Sequence, residues 1–377
     1  LIFLEGKDLE MKKVLLRTVM LMLMISIIAT FSLIGCKTTT TTAAAETTAV
    51  AETTAAAETT AAAETTAAAE TTAAPKVMEV AVIIKATTSD FWQYVLVGAN
   101  NYAIENPDKV HVTTYGPPAE ADIDKQVAIL EDVIASKPDA IVIASTSSDA
   151  TVPAIEKAVA AGIPVITIDN KVNTDKVLSH LATNNTKGGA TCADMLVEAL
   201  KAANTPLKGK VGMISAMAGV QVLTDRDNGF TTRLKEIAPD IQIIPVRYID
   251  NDIMKGIAAV EDILTANKDV IGFFGDNNTS GDSVARVFAE RKLGGKVAAV
   301  AYDSDPEEVA ALKDGILYAL ILQDPYGMGY KGVDSALKAI AGETLEKSVD
   351  TGATAVTKKN MDDPKIKGLL DPTSLKK

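Results

Sequence analysis

Lys85, Phe91, Trp92, Asp169, Asn170, Arg226, Asn277, Asp303 and Gln323 are the residues of this chain that could do chemistry together. Most stand just after a short apolar run. Lys85, Phe91 and Trp92 lie in KATTSDFWQY, directly after VMEVAVII. Asp169 and Asn170 follow PVITI, Asn277 follows FFGD, Asp303 follows VAAVAY and Gln323 follows YALIL. Arg226 sits in TDRDNGF, where a helical stretch opens. Carboxylates accept hydrogen bonds, amides donate and accept, and an arginine forks across neighbouring oxygens. Two adjacent rings add apolar faces in a chain that is only 4% aromatic. A neutral polyhydroxylated ligand calls for this combination. A sugar has C–H faces for Phe91 and Trp92, and a rim of hydroxyls for Asp169, Asp303 and Arg226. The set contains no nucleophile–base pair, so it suits recognition better than reaction.

The elements that position these residues follow a βα rhythm. Strand candidates are 77–84, 110–115, 140–145, 164–169, 178–183, 210–215, 241–248, 270–275, 297–302 and 318–323. Most are continuous apolar runs followed by amphipathic stretches. In DIDKQVAILEDVIAS, for example, Ile123, Val127, Leu130 and Ile134 share one helical face. Apolar strands alternating with helices form parallel sheets covered on both faces. About 300 residues after Pro75 exceed one such sheet, so two doubly wound α/β domains are expected. Ligands of open α/β sheets bind beyond the carboxyl ends of the strands, where the polar residues fall.

Bulk properties narrow the function. The net charge of −12 argues against nucleic acid, whose phosphates need clustered Lys and Arg. Two cysteines, Cys36 and Cys192, make no disulfide framework, and Cys192 reads as a buried small hydrophobe. Two histidines, His111 and His180, leave little for His-based catalysis or zinc. No G-x-S-x-G, H-E-x-x-H or P-loop occurs, and no cofactor or metal is expected. GMGYKG (327–332) matches G-x-G-x-x-G formally, but its glycines read better as close helix packing. Plainer roles compete for the selected residues: core packing for Phe91 or Trp92, helix N-caps for Asp169 and Asp303, a surface ion pair for Arg226.

The N-terminal region has a different character. MKKVLLRTVMLMLMISIIATFSLIGC (11–36) has a basic start, an apolar stretch and a cysteine preceded by a small residue. This is the layout of a secretory signal, with translation expected to start at Met11. Its ending resembles a bacterial lipobox, which implies lipidation at Cys36. The leader and signal are assigned to 1–36. Residues 37–76 form an Ala/Thr/Glu tether in which AAAETT recurs with no apolar stripe to bury. The 37 residues of its repeat, 38–74, would span roughly 33 Å as coil and about 55 Å as helix.

From Val77 onward the chain resembles the ribose-type, class I sugar-binding proteins of ABC transporters. DFW, IPVITIDN, HLATNNTKGG, DRDNGF, FFGDNN, AYDSDPEEVAALKDG and LQDPYGMGYKGV appear in the family's order. The resemblance implies the type I periplasmic binding fold: two lobes joined by three crossings, near Thr183, Gln323 and Gly352. The lobes would be 77–182 plus 324–352, and 183–323 plus 353–377. It implies ligand contacts from Asp169, Arg226, Asn277, Asp303, Gln323 and the ring pair. Lys85 and Asn170 depart from the ribose pattern, as does Ser89. Asn251 stands where the second lobe's aromatic would fall, with Tyr248 as the other candidate. The identity of the sugar is left open.

The expected function is an exported receptor, lipid-anchored outside the cell membrane. It would capture a sugar between closing lobes and deliver it to an ABC import permease. A monomer is expected, touching the membrane only through its anchor. The alternative keeps the fold and changes the role to a signalling or chemotaxis receptor for another small polar ligand. A repressor is disfavoured by the export signal, and an enzyme by the lack of convergent catalytic groups.

Overall fold

The computed structural model describes residues 76–377. Cys36, the leader and nearly all of the tether lie outside the described residues.

Strands β1 (Met78–Ile83), β2 (Val110–Tyr115), β3 (Ala140–Ile143), β4 (Val165–Ile168) and β5 (Ser179–Ala182) come first. Helices α1 (Asp90–Glu105), α2 (Ile123–Ser136) and α3 (Val152–Ala160) lie between them. Next come α4 (Asn185–Ala202), β6 (Gly209–Ser215), α5 (Gln221–Ile237), β7 (Ile241–Ile243) and β8 (Arg247–Tyr248). They are followed by α6 (Ile253–Ala266), β9 (Val270–Gly275), α7 (Asn278–Arg291), β10 (Ala298–Tyr302), α8 (Pro306–Asp314) and β11 (Ala319–Leu322). The last part holds α9 (Pro325–Ile340), β12 (Ser348–Asp350), β13 (Thr354–Thr357), α10 (Pro364–Leu370) and a short 3-10 turn, Pro372–Leu375.

Two sheets result. One has the order β12-β5-β4-β3-β1-β2, and every pair in it is parallel. The other has the order β13-β11-β10-β9-β6-β7, with β8 beside β6 and β13 antiparallel to β11. The chain passes between the sheets after β5 at Thr183, after β11 at Gln323 and after β12 at Gly352.

Burial on both faces explains the unbroken apolar strands. Val82, Val142 and Ile166 pack under α1 and α9, while Ile83, Ile141 and Val165 pack on the opposite face. The second sheet has the same two-sided core. The run 241–248, expected as one strand, is β7 and β8 separated at Pro245, which fixes φ and donates no ladder hydrogen bond. Helices α1 and α9 cross at glycines. A Cβ on Gly329 would lie 1.9 Å from the Val95 carbonyl oxygen, and one on Gly98 would lie 2.0 Å from that of Tyr326. Of the GMGYKG glycines, Gly329 serves this helix crossing, Gly332 packs against Val142 of the sheet and Gly327 makes room for the Asp324 cap.

A further contact joins the two halves, one that the three-crossing expectation does not include. Ile366 and Leu370 of α10 belong to the second sheet's core. The residues after them turn back onto α1, where the Lys377 N–H donates to Asn101 Oδ1 at 3.0 Å and Asn101 Nδ2 donates to the Leu375 carbonyl at 2.5 Å. Residues 353–377 thus do not all stay with the second half.

Candidate functional site

The carboxyl ends of both sheets converge on one small cavity. Its first wall comes from β1, α1 and β4. Lys85 follows β1, and its Nζ forms an ion pair at 2.6 Å with Asp169 Oδ2, both side chains almost fully buried. The contact is an ion pair rather than an aligned hydrogen bond. Lys85 Nζ also lies 5.3 Å from the centre of the Trp92 ring, close enough for cation–π attraction. Phe91 and Trp92 meet edge to face, with centroids 4.9 Å apart. Both rings belong to the first sheet's core and also line the cavity.

The second wall centres on Arg226, which is 2% exposed. Its Nε donates to Asn185 Oδ1 and its NH1 to the Asp276 carbonyl, each at 2.8 Å. The guanidinium stacks on Tyr302, 4.0 Å from the ring centre. Burial alone would lower its pKa, but the surrounding Tyr302, Asp303, Asp169 and Asp276 reverse the shift and raise it. Arg226 is therefore a held cation, not a surface ion pair. Its remaining N–H groups can serve a ligand.

Asp169 and Asp303 each follow a strand and each adopt positive φ, +62° and +79°. Such a backbone costs on the order of 1–3 kcal/mol and is found where a site demands it. Neither residue caps a helix. Asp303 Oδ1 accepts from Gln323 Nε2 at 2.7 Å, and Oδ2 accepts from the Asn278 N–H at 3.2 Å. Burial raises its pKa, opposed by Arg226 and Gln323. Gln323 Oε1 is buried without a protein partner.

Asn277 lines the cavity but spends its amide locally. Its Oδ1 caps α7 through the Ser280 N–H at 2.9 Å, and its Nδ2 donates to Asn251 Oδ1 at 3.0 Å. Two expected residues do not line the cavity. Asn170 is fully buried and turns toward Ser148, 3.4 Å away, because the left-handed Asp169 before it redirects the chain. Asn251, also left-handed, sits in a neighbouring space with Asp250 and Thr279. Tyr248 is 53% exposed and is not part of the wall. The apolar face on this side comes instead from Val220, Val222 and Leu223, at the entry to α5.

Glu120 also lines the cavity, and its Oε1 accepts from Trp92 Nε1 at 2.6 Å. Sequence reasoning missed it, although GPPAEAD directly follows β2 and the strand-end rule applied there too. Among the described lining residues there is no serine, cysteine or histidine to act as a nucleophile. A more apolar cavity lies at the opposite strand ends of the second sheet, beside Leu200, Ile316 and Tyr318. Lys358 and Lys359 line it, but no carboxylate does, unlike the cleft.

Known proteins share this architecture. A carbohydrate transporter solute-binding protein from Agrobacterium radiobacter, solved with D-arabinose, is 38% identical with a TM-score of 0.75, over 78% of this chain and 99% of that one. An ABC transporter solute-binding protein from Agrobacterium vitis, solved with D-fucose, is 36% identical with a TM-score of 0.72, over 78% and 99%. The D-ribose/D-allose-binding protein of Pseudomonas aeruginosa is 29% identical over 284 residues, which is 73% of this chain and 86% of that protein. The model of the periplasmic binding protein domain matches residues 80–344. The chain belongs to the periplasmic binding protein domain family.

Proposed function

We propose that this protein is an extracytoplasmic receptor that captures a monosaccharide between its two sheets and passes it to an ABC import permease. It is a binding protein and not an enzyme, like the relatives it matches. The observation that carries the reading is the single cavity in which two rings, two strand-end aspartates and a held arginine face one another. A relative named for D-ribose and D-allose, and two solved with D-arabinose and D-fucose, support a pentose or hexose ligand.

In this reading Phe91 and Trp92 cover the C–H face of the sugar, and Val220, Val222 and Leu223 cover the other side. Asp169 and Asp303 accept hydroxyl protons, while Arg226 and Lys85 donate. Gln323 Oε1 accepts a further hydroxyl, which relieves a buried acceptor that has no protein partner. Asn277, Asn251 and Asn170 hold the walls in place. The two lobes, with the residues after Leu370 returned to the first, close by bending at the crossings, and the permease reads the closed shape. Lipidation at Cys36 and the tether of 37–76 would hold a monomeric receptor near its permease.

A thermal-shift series with D-ribose, D-arabinose, D-fucose, D-allose, a nucleoside and an amino acid tests the ligand class. At 100 times its dissociation constant a true ligand adds about 2.7 kcal/mol of stability. Stabilisation by one or more monosaccharides supports the reading, and stabilisation by the nucleoside or amino acid alone refutes it. Loss of membrane association in a Cys36→Ala chain tests the anchor.

A further inference from the structure

We infer that Glu120 is a specificity-determining residue of the cleft, whose carboxylate admits neutral polyhydroxylated ligands and rejects anionic sugars of similar shape. The inference rests on the sugar-receptor reading above. Glu120 stands in the loop after β2, on the same side of the cleft as the ring pair. The Trp92 Nε1–H donates to Oε1 at 2.6 Å, and Trp92 is itself 2% exposed. A buried ring therefore fixes where the carboxylate stands. Among the described residues Oε2 accepts no hydrogen bond, so it can take a ligand hydroxyl.

Charge accounting singles this residue out. Asp169 is paired with Lys85 at 2.6 Å. Asp303 is held by Gln323 and lies within the field of Arg226. No described lysine or arginine pairs with Glu120. The residue also borders the adjoining space, where Asp90 supplies a further carboxylate and Asp250 is paired with Lys255 at 2.6 Å. Fields of one sign in a low-dielectric cleft add up and bias entry against like charge. Two like charges about 6 Å apart, at an effective dielectric constant of about 20, lose about 100-fold in affinity. A hydroxyl at the same place gains a charge-assisted hydrogen bond.

Calorimetric titration of the purified full chain tests this, with D-ribose, D-arabinose, D-fucose and D-xylose as neutral probes. D-galacturonate and D-glucuronate are the anionic ones. Galacturonate and fucose share their ring hydroxyls and differ at C6, a carboxylate against a methyl. The wild type should bind at least one neutral sugar and discriminate against both uronates by about 100-fold. Glu120→Gln keeps an acceptor for Trp92 and removes the charge. It should weaken the neutral sugar about tenfold and close most of the about 100-fold gap to the uronates. Glu120→Asp keeps the charge and should keep the discrimination. A wild type that binds a uronate as tightly as a neutral sugar overturns the inference and leaves the receptor reading intact. So does a Glu120→Gln variant whose neutral-sugar affinity stays within about twofold. A wild type that answers none of the neutral sugars overturns the receptor reading, and this inference with it.

Discussion

Asp169 and Asp303 hold equivalent places in the two sheets, each one residue past a strand and each with positive φ. Each N–H still bonds the neighbouring strand, to Leu181 and Ile321, so the strain is held by the ladder. The rule that ligands meet strand ends made these residues legible in the sequence, together with Lys85, the ring pair and Gln323. It could not say which way a side chain turns after a left-handed residue, which is why Asn170 and Asn251 fall outside the cavity wall. Glu120, Val220, Val222 and Leu223 were missed for another reason: a search for polar strand-end residues passed over one loop and all apolar contacts. Trp92→Ala should cost about tenfold or more in sugar affinity by calorimetry, since a full ring face is lost. Asn251→Ala should change affinity by less than about threefold, because its partner is Asn277 and not the cavity.

At the scale of elements, the apolar runs located the parallel strands of both sheets, because strands buried on two faces need no alternation to be recognised. Strands β12 and β13 were not foreseen. They are three and four residues long and mostly half-buried or exposed, so they leave little apolar signal. The glycines of GMGYKG marked a close helix crossing, but its partner α1 and Gly98 were not legible. At the α1–α9 crossing, Gly329→Ala puts a methyl 1.9 Å from a carbonyl oxygen, and backbone must move to admit it. The variant should lose about 1–3 kcal/mol in a denaturant titration. An unchanged midpoint would contradict the packing account.

Across the whole molecule, buried carboxyls near the cleft tie stability to pH. Burial, then the charges of Asp305 and Glu307, pushes Asp282 up to about 8. Burial, countered by Asn278 and reinforced by Asp303, pushes Asp305 up to about 7. The folded state therefore holds protons that the unfolded chain releases at ordinary Asp values. Their stabilising contribution is complete below the unfolded pKa, near 4, and is lost as pH rises through 7 and 8. Tm should fall between pH 5 and 8.5, and Asp282→Asn should flatten the fall. A wild-type Tm that rises over this range would contradict the assignment.

The central claim is that a sugar lies in the cleft between the two sheets. The single tryptophan, Trp92, lines that cleft, so its emission reports the site directly. Titrating the protein with D-ribose, D-arabinose, D-fucose and D-allose while following Trp92 emission is the most direct test. The account predicts a saturable change with at least one of these sugars, weakened at least about tenfold by Arg226→Lys, which cannot reproduce the stacked fork. Emission that stays flat with every sugar, in a protein shown to be folded, would contradict it.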